Sequence, residues 1–450
     1  MIRIKKGLDI PINGSPADDI TDSKKSRSVA ILGNDYVGMK PTMLVEEGER
    51  VKLGQPLFED KKNPGVIITS PAGGKIESIN RGERRVLQSI VIEIEFDEES
   101  VKFKQVDPKD VSNISAEDIR KQLIDSGMWT AFRTRPYSKV PAVDSSPDNI
   151  FISALDTQPL SPDPETIIHL HKDDFDFGIS LLKKLTNCPI HLSVSENSSL
   201  EIHEDDQVKK HIFSGPHPAG LVGTQMHFIS PASLSNVNWT IGYQDITAIG
   251  KLFKSGYLSV ERIISLAGPQ VIEPTYVKTR LGACTDELTA GELTQRENRI
   301  ISGSVISGRE AIGAYAYLGR YHNQISVVSE PNSKDREFMN WLTPGPRKFS
   351  KIPLFLSSLF PKKSFNFKTL MNGSDRPIIP IGIYEEVIPM NFLPAILLRN
   401  VVLMDTEKIQ ALGGLELDEE DLSLCSYVCP GKYDFGSLLR AGLNKIEVEG

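Results

Sequence analysis

The succession of predicted strands and helices in the middle of the chain most constrains its fold. A buried strand over 149–155 is followed by an amphipathic helix over 173–186 and by a second buried strand over 189–194. Alternation of strand, helix and strand is typical of parallel sheets whose strands are connected by helices. A further amphipathic helix over 243–255 continues the pattern. The sequence therefore predicts a parallel α/β sheet here.

A β-rich unit precedes this sheet, over 28–96. Its short apolar runs alternate with glycine- and proline-rich turns, which supply the backbone conformations of tight turns. The phrases EGERVKLGQPLFEDKK and ITSPAGGKI resemble lipoyl and biotinyl domains, in which a lysine at a hairpin tip carries the prosthetic group. Lys61 and Lys62 do not fall at the usual distance before the Ser-Pro pair. The sequence therefore favours a structural barrel-sandwich module over a modified lysine.

Two further regions follow the sheet. Over 260–329 the pattern returns to strands around one helix candidate, 285–293, which suggests a small β-grasp-like unit. The final 70 or so residues are mixed, with helices predicted around 393–404, 405–412 and 435–443.

Composition narrows the class of protein. The 450 residues include 51 basic and 59 acidic side chains, a net charge of −8, which argues against non-specific nucleic-acid binding. The first residues lack the apolar core of a signal peptide, and no run reaches the roughly 20 apolar residues that span a bilayer. The nearest run, 388–404, is broken by Pro389, Pro394 and Arg399. We therefore expect a soluble, cytoplasmic chain that binds no nucleic acid.

A candidate ligand site precedes the first strand of the predicted sheet. It combines two arginines with three aromatic side chains: Trp129, Phe132, Arg133, Arg135 and Tyr137. Arginine forks suit carboxylate, phosphate or carbonyl oxygens, and aromatic faces stack on flat rings, so a quinone or nucleotide ring would fit such a wall. The alternative is structural: the arginines pair with local acids, and the aromatic residues close the preceding capped helix, 115–126, onto the sheet.

The glycine and cysteine motifs predict neither a phosphate site nor a metal site. Gly303 and Gly308 have the spacing of a phosphate loop, but Arg309 and Glu310 replace its lysine and hydroxyl, which favours a simple turn between strands. Cys425 and Cys429 fall short of the four thiolates that an iron–sulfur cluster needs, because the other two cysteines lie far away in the sequence. The sequence therefore predicts no catalytic, cofactor-binding or metal-binding residue.

The segment 347–369 combines apolar anchors with positive charge. Its phenylalanines and basic residues are Phe349, Phe355, Phe360, Phe365, Phe367, Arg347, Lys348, Lys351, Lys362, Lys363 and Lys368. This composition suits an anionic membrane surface or a membrane-embedded partner. A surface loop whose phenylalanines pack into the domain stays equally open, because the segment has no clear helical period.

Long motifs follow one another along nearly the whole chain. They are KGLDIPINGSP, GNDYVGMKPTMLVEEGERVKLGQPLFEDKKNPG, SGMWTAFRTRPYSKVP, ALDTQPLSPDP, GLVGTQMHFISP, TIGYQDITAIGKLFKSG, LAGPQVIEPTYVKTRLGA, ENRIISGSVISGREA, NGSDRPIIPIGIY and CSYVCPGKYDFG. In these motifs the chain resembles the A subunit of the bacterial Na+-translocating NADH:quinone oxidoreductase. So many motifs in one order make the resemblance specific.

The resemblance implies a history of lost cofactors. The family looks like a relative of the flavin-binding NADH subunit of complex I and of the C subunit of the Rnf complex. In those relatives the segment matching 126–141 is a glycine-rich flavin loop, whereas here bulky side chains replace the glycines. Their cluster cysteines are reduced here to Cys425 and Cys429. The resemblance therefore suggests a protein that kept the fold and lost both cofactors.

The resemblance also divides the multidomain α+β and α/β chain into four units. They are an N-terminal barrel-sandwich (lipoyl-like) β domain at 1–100, a Rossmann-like α/β domain at 101–257, an SLBB-like β-grasp domain at 258–330, and a mixed, mostly helical region at 331–450.

By the same resemblance, the chain is a peripheral subunit on the cytoplasmic side of the bacterial inner membrane, without a transmembrane segment. Its partners would be the other five subunits and ubiquinone. The complex moves electrons from NADH to ubiquinone while it exports Na+, and its flavins and iron–sulfur centre belong to other subunits. The predicted role of this chain is assembly and support of a quinone site.

Two alternative functions stay open. One is an autonomous flavin-dependent NADH dehydrogenase subunit, and the other is a non-enzymatic lipoyl-like binding module.

Overall fold

The computed structural model describes residues 1–22, 26–294, 297–331, 345–360, 363–371 and 376–449. The strands are β1 (Ile2–Arg3), β2 (Ala17–Asp22), β3 (Ser28–Leu32), β4 (Pro41–Met43), β5 (Arg50–Val51), β6 (Pro56–Asp60), β7 (Ile67–Thr69), β8 (Gly74–Arg81), β9 (Leu87–Ile94), β10 (Arg133–Arg135), β11 (Asn149–Ala154), β12 (Ile190–Ser195), β13 (Val208–Ser214), β14 (Asn238–Thr240), β15 (Glu261–Ala267), β16 (Thr275–Arg280), β17 (Asn298–Ser302), β18 (Arg309–Glu310) and β19 (Gln324–Ser329). The α-helices are α1 (Ala116–Asp125), α2 (Pro164–Leu170), α3 (Lys172–Leu185), α4 (Val222–Ile229), α5 (Tyr243–Ser255), α6 (Thr285–Thr289), α7 (Ile383–Val387), α8 (Pro394–Leu403), α9 (Thr406–Ala411), α10 (Ser423–Val428) and α11 (Phe435–Glu449).

The first unit is a barrel-sandwich of two antiparallel sheets, as predicted. One sheet has the order β3-β9-β8-β5 and the other has the order β4-β6-β7. Between them, apolar side chains such as Leu57, Phe58 and Ile76 are fully buried. The turn between β6 and β7 carries Lys61 and Lys62, both exposed. These two lysines therefore lie at a hairpin tip.

The second unit is the predicted α/β unit. Its sheet has the order β1-β13-β12-β11-β14-β10 and is parallel except for β10, which runs antiparallel to β14. Helices α3 and α5 pack closely together because glycines lie at their contact. A Cβ atom at Gly250 would lie 1.9 Å from the Asp174 carbonyl oxygen, and one at Gly178 would lie 2.3 Å from that of Ile246. The chain passes from β11 through β12 to β13 and then returns to β14, so the order of strands reverses beside β11.

The third unit is a six-stranded sheet of order β18-β17-β19-β15-β16-β2 with one short helix, α6. The predicted helix 285–293 is too long, because the observed one ends at Thr289. Gly291 follows with a φ of 79°, a left-handed conformation that an α-helix does not continue through.

The N-terminal residues connect the units. Strand β1 pairs with β13 in the second unit, and β2 pairs with β16 in the third. Residues 1–22 thus add strands to two sheets outside the barrel-sandwich itself. Neither strand has an apolar alternation that would predict it, since β2 reads ADDITD and is mostly exposed.

The C-terminal region is mostly helical from residue 383 onward, whereas its described residues between 345 and 382 contain one 3-10 turn, Leu356–Leu359. Helices α8, α9 and α11 correspond to the predicted segments, although α11 continues to Glu449 instead of ending at 443. Its core is formed by fully buried side chains, among them Tyr384, Leu397 and Leu439.

Candidate functional site

The predicted site segment begins where α1 ends. Ser126 caps the helix, Gly127 has a φ of 75°, and a 3-10 turn over Met128–Ala131 leads into β10. At Gly127 a Cβ atom would lie 2.4 Å from the Thr69 hydroxyl, which itself donates to the Ser126 carbonyl at 2.8 Å. Only glycine fits this turn, so the end of α1 lies directly against the barrel-sandwich.

Trp129 and Phe132 belong to a closed aromatic cluster. With Trp239 on β14 they form three ring contacts, with centroids 5.5, 5.5 and 5.4 Å apart. The Trp129 indole donates to the Pro141 carbonyl at 2.9 Å, and the Arg120 guanidinium lies 5.1 Å from its ring. All three cluster rings are buried. The aromatic residues thus form a core that joins α1 to the sheet and present no face to solvent.

Arg135 is buried and surrounded by acids from the C-terminal region. Its Nη1 donates to the Asp421 carboxylate at 2.8 Å and to the Glu416 carbonyl at 3.1 Å. Asp418 lies 3.4 Å away. Although burial opposes the charged form, Asp418 and Asp421 raise the pKa of Arg135 above its usual value. Arg135 therefore pairs with acids, as the structural alternative predicted. These acids are distant in sequence, however, and not local.

The acids around Arg135 belong to an acidic turn over 418–422. The pKa values of its carboxyl groups are shifted in opposite directions. Burial opposes the ionisation of Asp418, yet Arg135 and Arg440 hold the pKa of that carboxyl well below its usual range. Burial raises the pKa of Glu419 and that of Glu420 to about 7. The cluster is therefore a charged joint between β10 and the C-terminal region.

Arg133 and Tyr137 are the predicted site residues that keep accessible surface. The Arg133 guanidinium lies 4.6 Å from the Tyr321 ring centroid and 3.7 Å from Asp418, with 27% of its side chain exposed. Tyr137 is half-buried, has a φ of 78°, and its carbonyl accepts from Arg440 Nη1 at 2.6 Å. The structure thus places the five predicted residues together but orients them differently.

A cavity lies where the barrel-sandwich, the segment 126–130 and the third unit meet. We call it the junction cavity. The residues that line it are Ala30, Ile31, Leu32, Asp35, Tyr36, Ile68, Thr69, Pro71, Ser126, Gly127, Met128, Thr130, Leu258, Val260, Leu281, Gly282, Leu318 and Arg320. The volume open to the centres of water molecules is about 40 Å³. One water needs roughly 10–15 Å³ by this measure, so the cavity holds about three.

Buried charge and hydroxyl groups border the junction cavity. Asp35 accepts from the Arg320 backbone N–H at 2.7 Å, and Arg320 Nη1 donates to Asp245 at 2.9 Å. Tyr321 donates to the Thr130 carbonyl at 2.8 Å, and burial raises its pKa to about 12. The hydroxyl therefore stays protonated at neutral pH and acts as a donor.

The crevice beside β11, where the strand order reverses, is closed by its own loops. Asp156 follows β11 and accepts from the Gln158 N–H at 2.8 Å, and burial raises the pKa of its carboxyl to about 7. The Thr157 hydroxyl accepts from the Gly220 N–H at 2.9 Å. A Cβ atom at Gly220 would lie 2.5 Å from the Thr157 nitrogen, so the two loops are in close contact.

The cysteine pair and the glycine-bounded turn noted in the sequence both contact other residues of the protein. Cys425 and Cys429 are buried, and the Tyr384 hydroxyl lies 3.1 Å from the Cys429 sulfur. Burial raises the pKa of the Cys425 thiol. Among the described residues, no three His, Cys, Asp or Glu side chains are grouped to hold a metal ion. The glycine-bounded turn lies between β17 and β18, as predicted, and Arg309 binds Asp35 at 3.0 Å.

Within the described residues, no helix combines the length and the apolarity that crossing a bilayer requires.

Curated proteins match the chain over its whole length. The A subunit of the Na(+)-translocating NADH-quinone reductase of Saccharophagus degradans is 52% identical over 450 residues, which cover 100% of both chains. The proteins of the same name from Hahella chejuensis and Yersinia pseudotuberculosis are 52% and 51% identical with the same coverage. The chain belongs to this family, NqrA.

Three family models agree with the fold of this NqrA chain. The NqrA N-terminal barrel-sandwich hybrid domain matches residues 2–95, the NqrA second alpha/beta domain matches 114–258, and the NQRA C-terminal domain matches 263–312. The last of these, of the SLBB type, lies on the third unit described above.

Solved structures show a weaker likeness. NAD+-reducing [NiFe]-hydrogenase in the air-oxidized state aligns with a TM-score of 0.38 and 10% identity, over 78% of this chain and 67% of that one.

Several residues at the junction cavity of this NqrA family member were not predicted as site residues. Asp35 and Tyr36 lie in the motif GNDYVGMK, which helped to identify the family but carries no local ligand signal. Arg320, which lines the cavity, and Tyr321, which donates to the Thr130 carbonyl, lie in the turn before β19, and nothing in the sequence links them to segment 126–130. Only the folded arrangement brings these four residues together.

Proposed function

We propose that the chain is the A subunit of a complex that oxidises NADH, reduces ubiquinone to ubiquinol and exports Na+. It would lie on the cytoplasmic side of the membrane, attached to the other five subunits, as a peripheral and cofactor-free component. The observation that carries this proposal is the identity of 52% over 100% of both chains with a protein named as the A subunit of a Na(+)-translocating NADH-quinone reductase.

The role of the chain would be to support assembly and quinone binding, and the junction cavity is the best place for a quinone ring. Apolar walls such as Met128, Val260 and Leu318 suit the ring, and Arg320 provides charge for a carbonyl oxygen. Because the present volume corresponds to about three water molecules, we propose that the barrel-sandwich moves relative to the third unit when a quinone binds. The cavity is thus proposed as a site that opens on binding.

The five predicted quinone contacts would then act in two ways. Arg133, through its stacking on Tyr321, and Tyr137 remain proposed contacts because both keep accessible surface. Trp129, Phe132 and Arg135 are buried. They would position segment 126–130, which forms one wall of the junction cavity.

A filled cavity tests the site within the assembled complex. Leu258→Trp adds bulk to the cavity wall, whereas Leu234→Trp adds the same bulk at an exposed position away from it. We expect Leu258→Trp to raise the quinone KM about tenfold or more, while NADH oxidation by an artificial acceptor stays unchanged. Equal quinone kinetics for both variants would remove this site.

The quinone kinetics of an Arg133→Gln variant test the accessible arginine. The control is Arg399→Gln, at an exposed position on α8. Photo-crosslinking with a quinone analogue should label peptides from 126–137 or from the cavity wall. Label found solely on other subunits would leave this chain with an assembly role alone.

The cofactor-free state is proposed from the packing of segment 126–132. Met128 and Trp129 fill the space that a glycine-rich loop would leave beside a flavin, since backbone amides must approach a phosphate closely. We expect the protein separated from its complex to release no flavin on acid extraction and not to oxidise NADH alone. A yellow, NADH-oxidising preparation would instead support an autonomous flavoprotein.

A further inference from the structure

The segment from 345 to 371 differs in charge from the rest of the chain. Between Glu337 and Asp375 the sequence has six basic residues and no acidic one, although the whole chain carries a net charge of −8. The described basic residues of this segment are Arg347, Lys348, Lys351, Lys363 and Lys368. Positive charge is therefore concentrated in one place on an acidic protein.

Half of the segment is anchored to the protein. Phe349, Phe365 and Phe367 form ring contacts with centroids 5.8 to 6.4 Å apart, and Phe367 also contacts Tyr427. The Phe365 N–H donates to the Pro11 carbonyl at 2.8 Å. For these three phenylalanines, the prediction of a loop packed into the domain is confirmed.

The other half projects apolar side chains into solvent. Leu354 and Leu359 are each 71% exposed, Phe360 is 62% exposed and Leu356 is 51% exposed. Leu356 and Leu359 lie in a 3-10 turn over Leu356–Leu359, and the Ser357 hydroxyl at the buried side of this turn donates to the Lys348 carbonyl. Single exposed apolar residues are ordinary, but four within seven residues mark a contact surface. We call these four residues the apolar tip.

We propose that the apolar tip inserts into the headgroup region of an anionic lipid bilayer and that basic residues of the same segment bind lipid phosphates. The inference rests on the proposed membrane-peripheral function and names the element that makes the contact. Two signals act together here, which is what stable attachment to a membrane surface requires. Each basic residue near an anionic surface is worth about fivefold in partitioning.

The choice of residues favours lipid over a protein partner. Protein–protein interfaces are depleted in lysine and enriched in arginine, whereas five of the six basic residues here are lysines. Lysine has a flexible apolar stem that lies along acyl chains while its ammonium group remains at the phosphates.

Vesicle sedimentation of the purified full-length chain tests the inference without the other subunits. We expect binding to vesicles of phosphatidylcholine mixed with phosphatidylglycerol, weaker binding at high salt, and little binding to phosphatidylcholine alone. Leu354→Ser combined with Leu359→Ser should weaken binding at least tenfold, as should Arg347→Gln combined with Lys368→Gln. The matched control is Leu234→Ser with Ile312→Ser, which removes equally exposed apolar side chains elsewhere.

Insertion is measured separately by fluorescence. A tryptophan introduced as Leu359→Trp should be quenched by brominated phosphatidylglycerol, whereas Leu234→Trp should not be. Absence of salt-sensitive binding by the wild type, or equal loss in the control pair, would overturn the inference. So would tip variants that bind vesicles normally but fail to assemble into the complex, since the tip would then contact another protein of the complex. The vesicle experiments do not measure quinone kinetics, so failure of the lipid contact can be distinguished from failure of the proposed quinone site.

Discussion

Arg135 and Asp421 are 286 residues apart in sequence, and their side chains form a buried ion pair with an N–O distance of 2.8 Å. The pair joins β10 of the α/β unit to the acidic turn that precedes α10. On the other side of this turn, Arg440 of α11 donates to Asp418 at 2.7 Å and to Glu419 at 2.6 Å. Two arginines from different units thus share one cluster of carboxylates.

Removal of Arg135 should destabilise the joint between the units. Arg135→Met leaves Asp421 and Asp418 buried without their main partner, and breaking a buried pair in this way costs about 3–5 kcal/mol. We expect a lower urea midpoint and faster hydrogen exchange in α11. Arg399→Met, at an exposed position on α8, should change neither measurement.

The double variant Arg135→Met with Asp421→Asn separates charge from packing. If the unpaired Asp421 carboxylate causes the loss of stability in Arg135→Met, the second substitution should restore part of that stability. Equal stabilities for the wild type and Arg135→Met would show that the pair contributes nothing net.

Local signals predicted many of the elements, whereas contacts between units could not be predicted. The Ser115 cap and the left-handed Gly256 mark helix ends because capping depends on residues within one turn. The acids around Arg135 come from a segment nearly 300 residues later, and Trp239 completes the aromatic cluster from another strand. The sequence therefore singled out residues that lie in one segment, but it could not show that the rings of Trp129 and Phe132 and the charge of Arg135 face inward.

Helix packing at Gly250 gives a second prediction. A methyl group at Gly250 would lie 1.9 Å from the Asp174 carbonyl oxygen of α3, so Gly250→Ala should push α3 and α5 apart. We expect a loss of about 1–3 kcal/mol. At Gly442 of α11 the nearest atom is the flexible end of Ile409, 3.1 Å away. Gly442→Ala should therefore be neutral or stabilise by up to about 1 kcal/mol.

Thermal unfolding of both variants checks this pair of expectations. The informative result is the opposite sign of the two shifts in melting temperature. A shift of the same size and sign in both would mean that helix propensity, and not the close approach of α3 and α5, decides the outcome.

The turn at Gly127 gives a third prediction. Gly48, which has a similar backbone conformation, serves as the control position. Both have left-handed φ angles, 75° and 85°, so alanine at either site costs about 1–2 kcal/mol. At Gly48 nothing lies within 4 Å of the added methyl group, whereas at Gly127 it would lie 2.4 Å from the Thr69 hydroxyl. We expect Gly127→Ala to be the more destabilising in urea unfolding. Similar losses would show that Thr69 moves aside at no cost.

The pH dependence of stability depends in part on His322. This side chain is half-buried, its Nδ1 lies 2.8 Å from the Ser302 hydroxyl, and desolvation lowers its pKa from 6.5 to about 4. Between these values the unfolded chain takes up a proton that the folded chain does not. The contribution of His322 to stability is therefore complete above pH 6.5 and falls as the pH decreases towards 4.

At about pH 5 the loss from this one group should be about 2 kcal/mol relative to about pH 7.5. Glu419 and Glu420, with pKa values raised to about 7, act in the opposite direction in the same window, because the folded chain binds their protons more tightly. The comparison must therefore be between variants. His322→Asn should lose less stability than the wild type between the two pH values, and the exposed His203→Asn should follow the wild type. Parallel pH profiles for all three proteins in urea unfolding would contradict the assignment to His322.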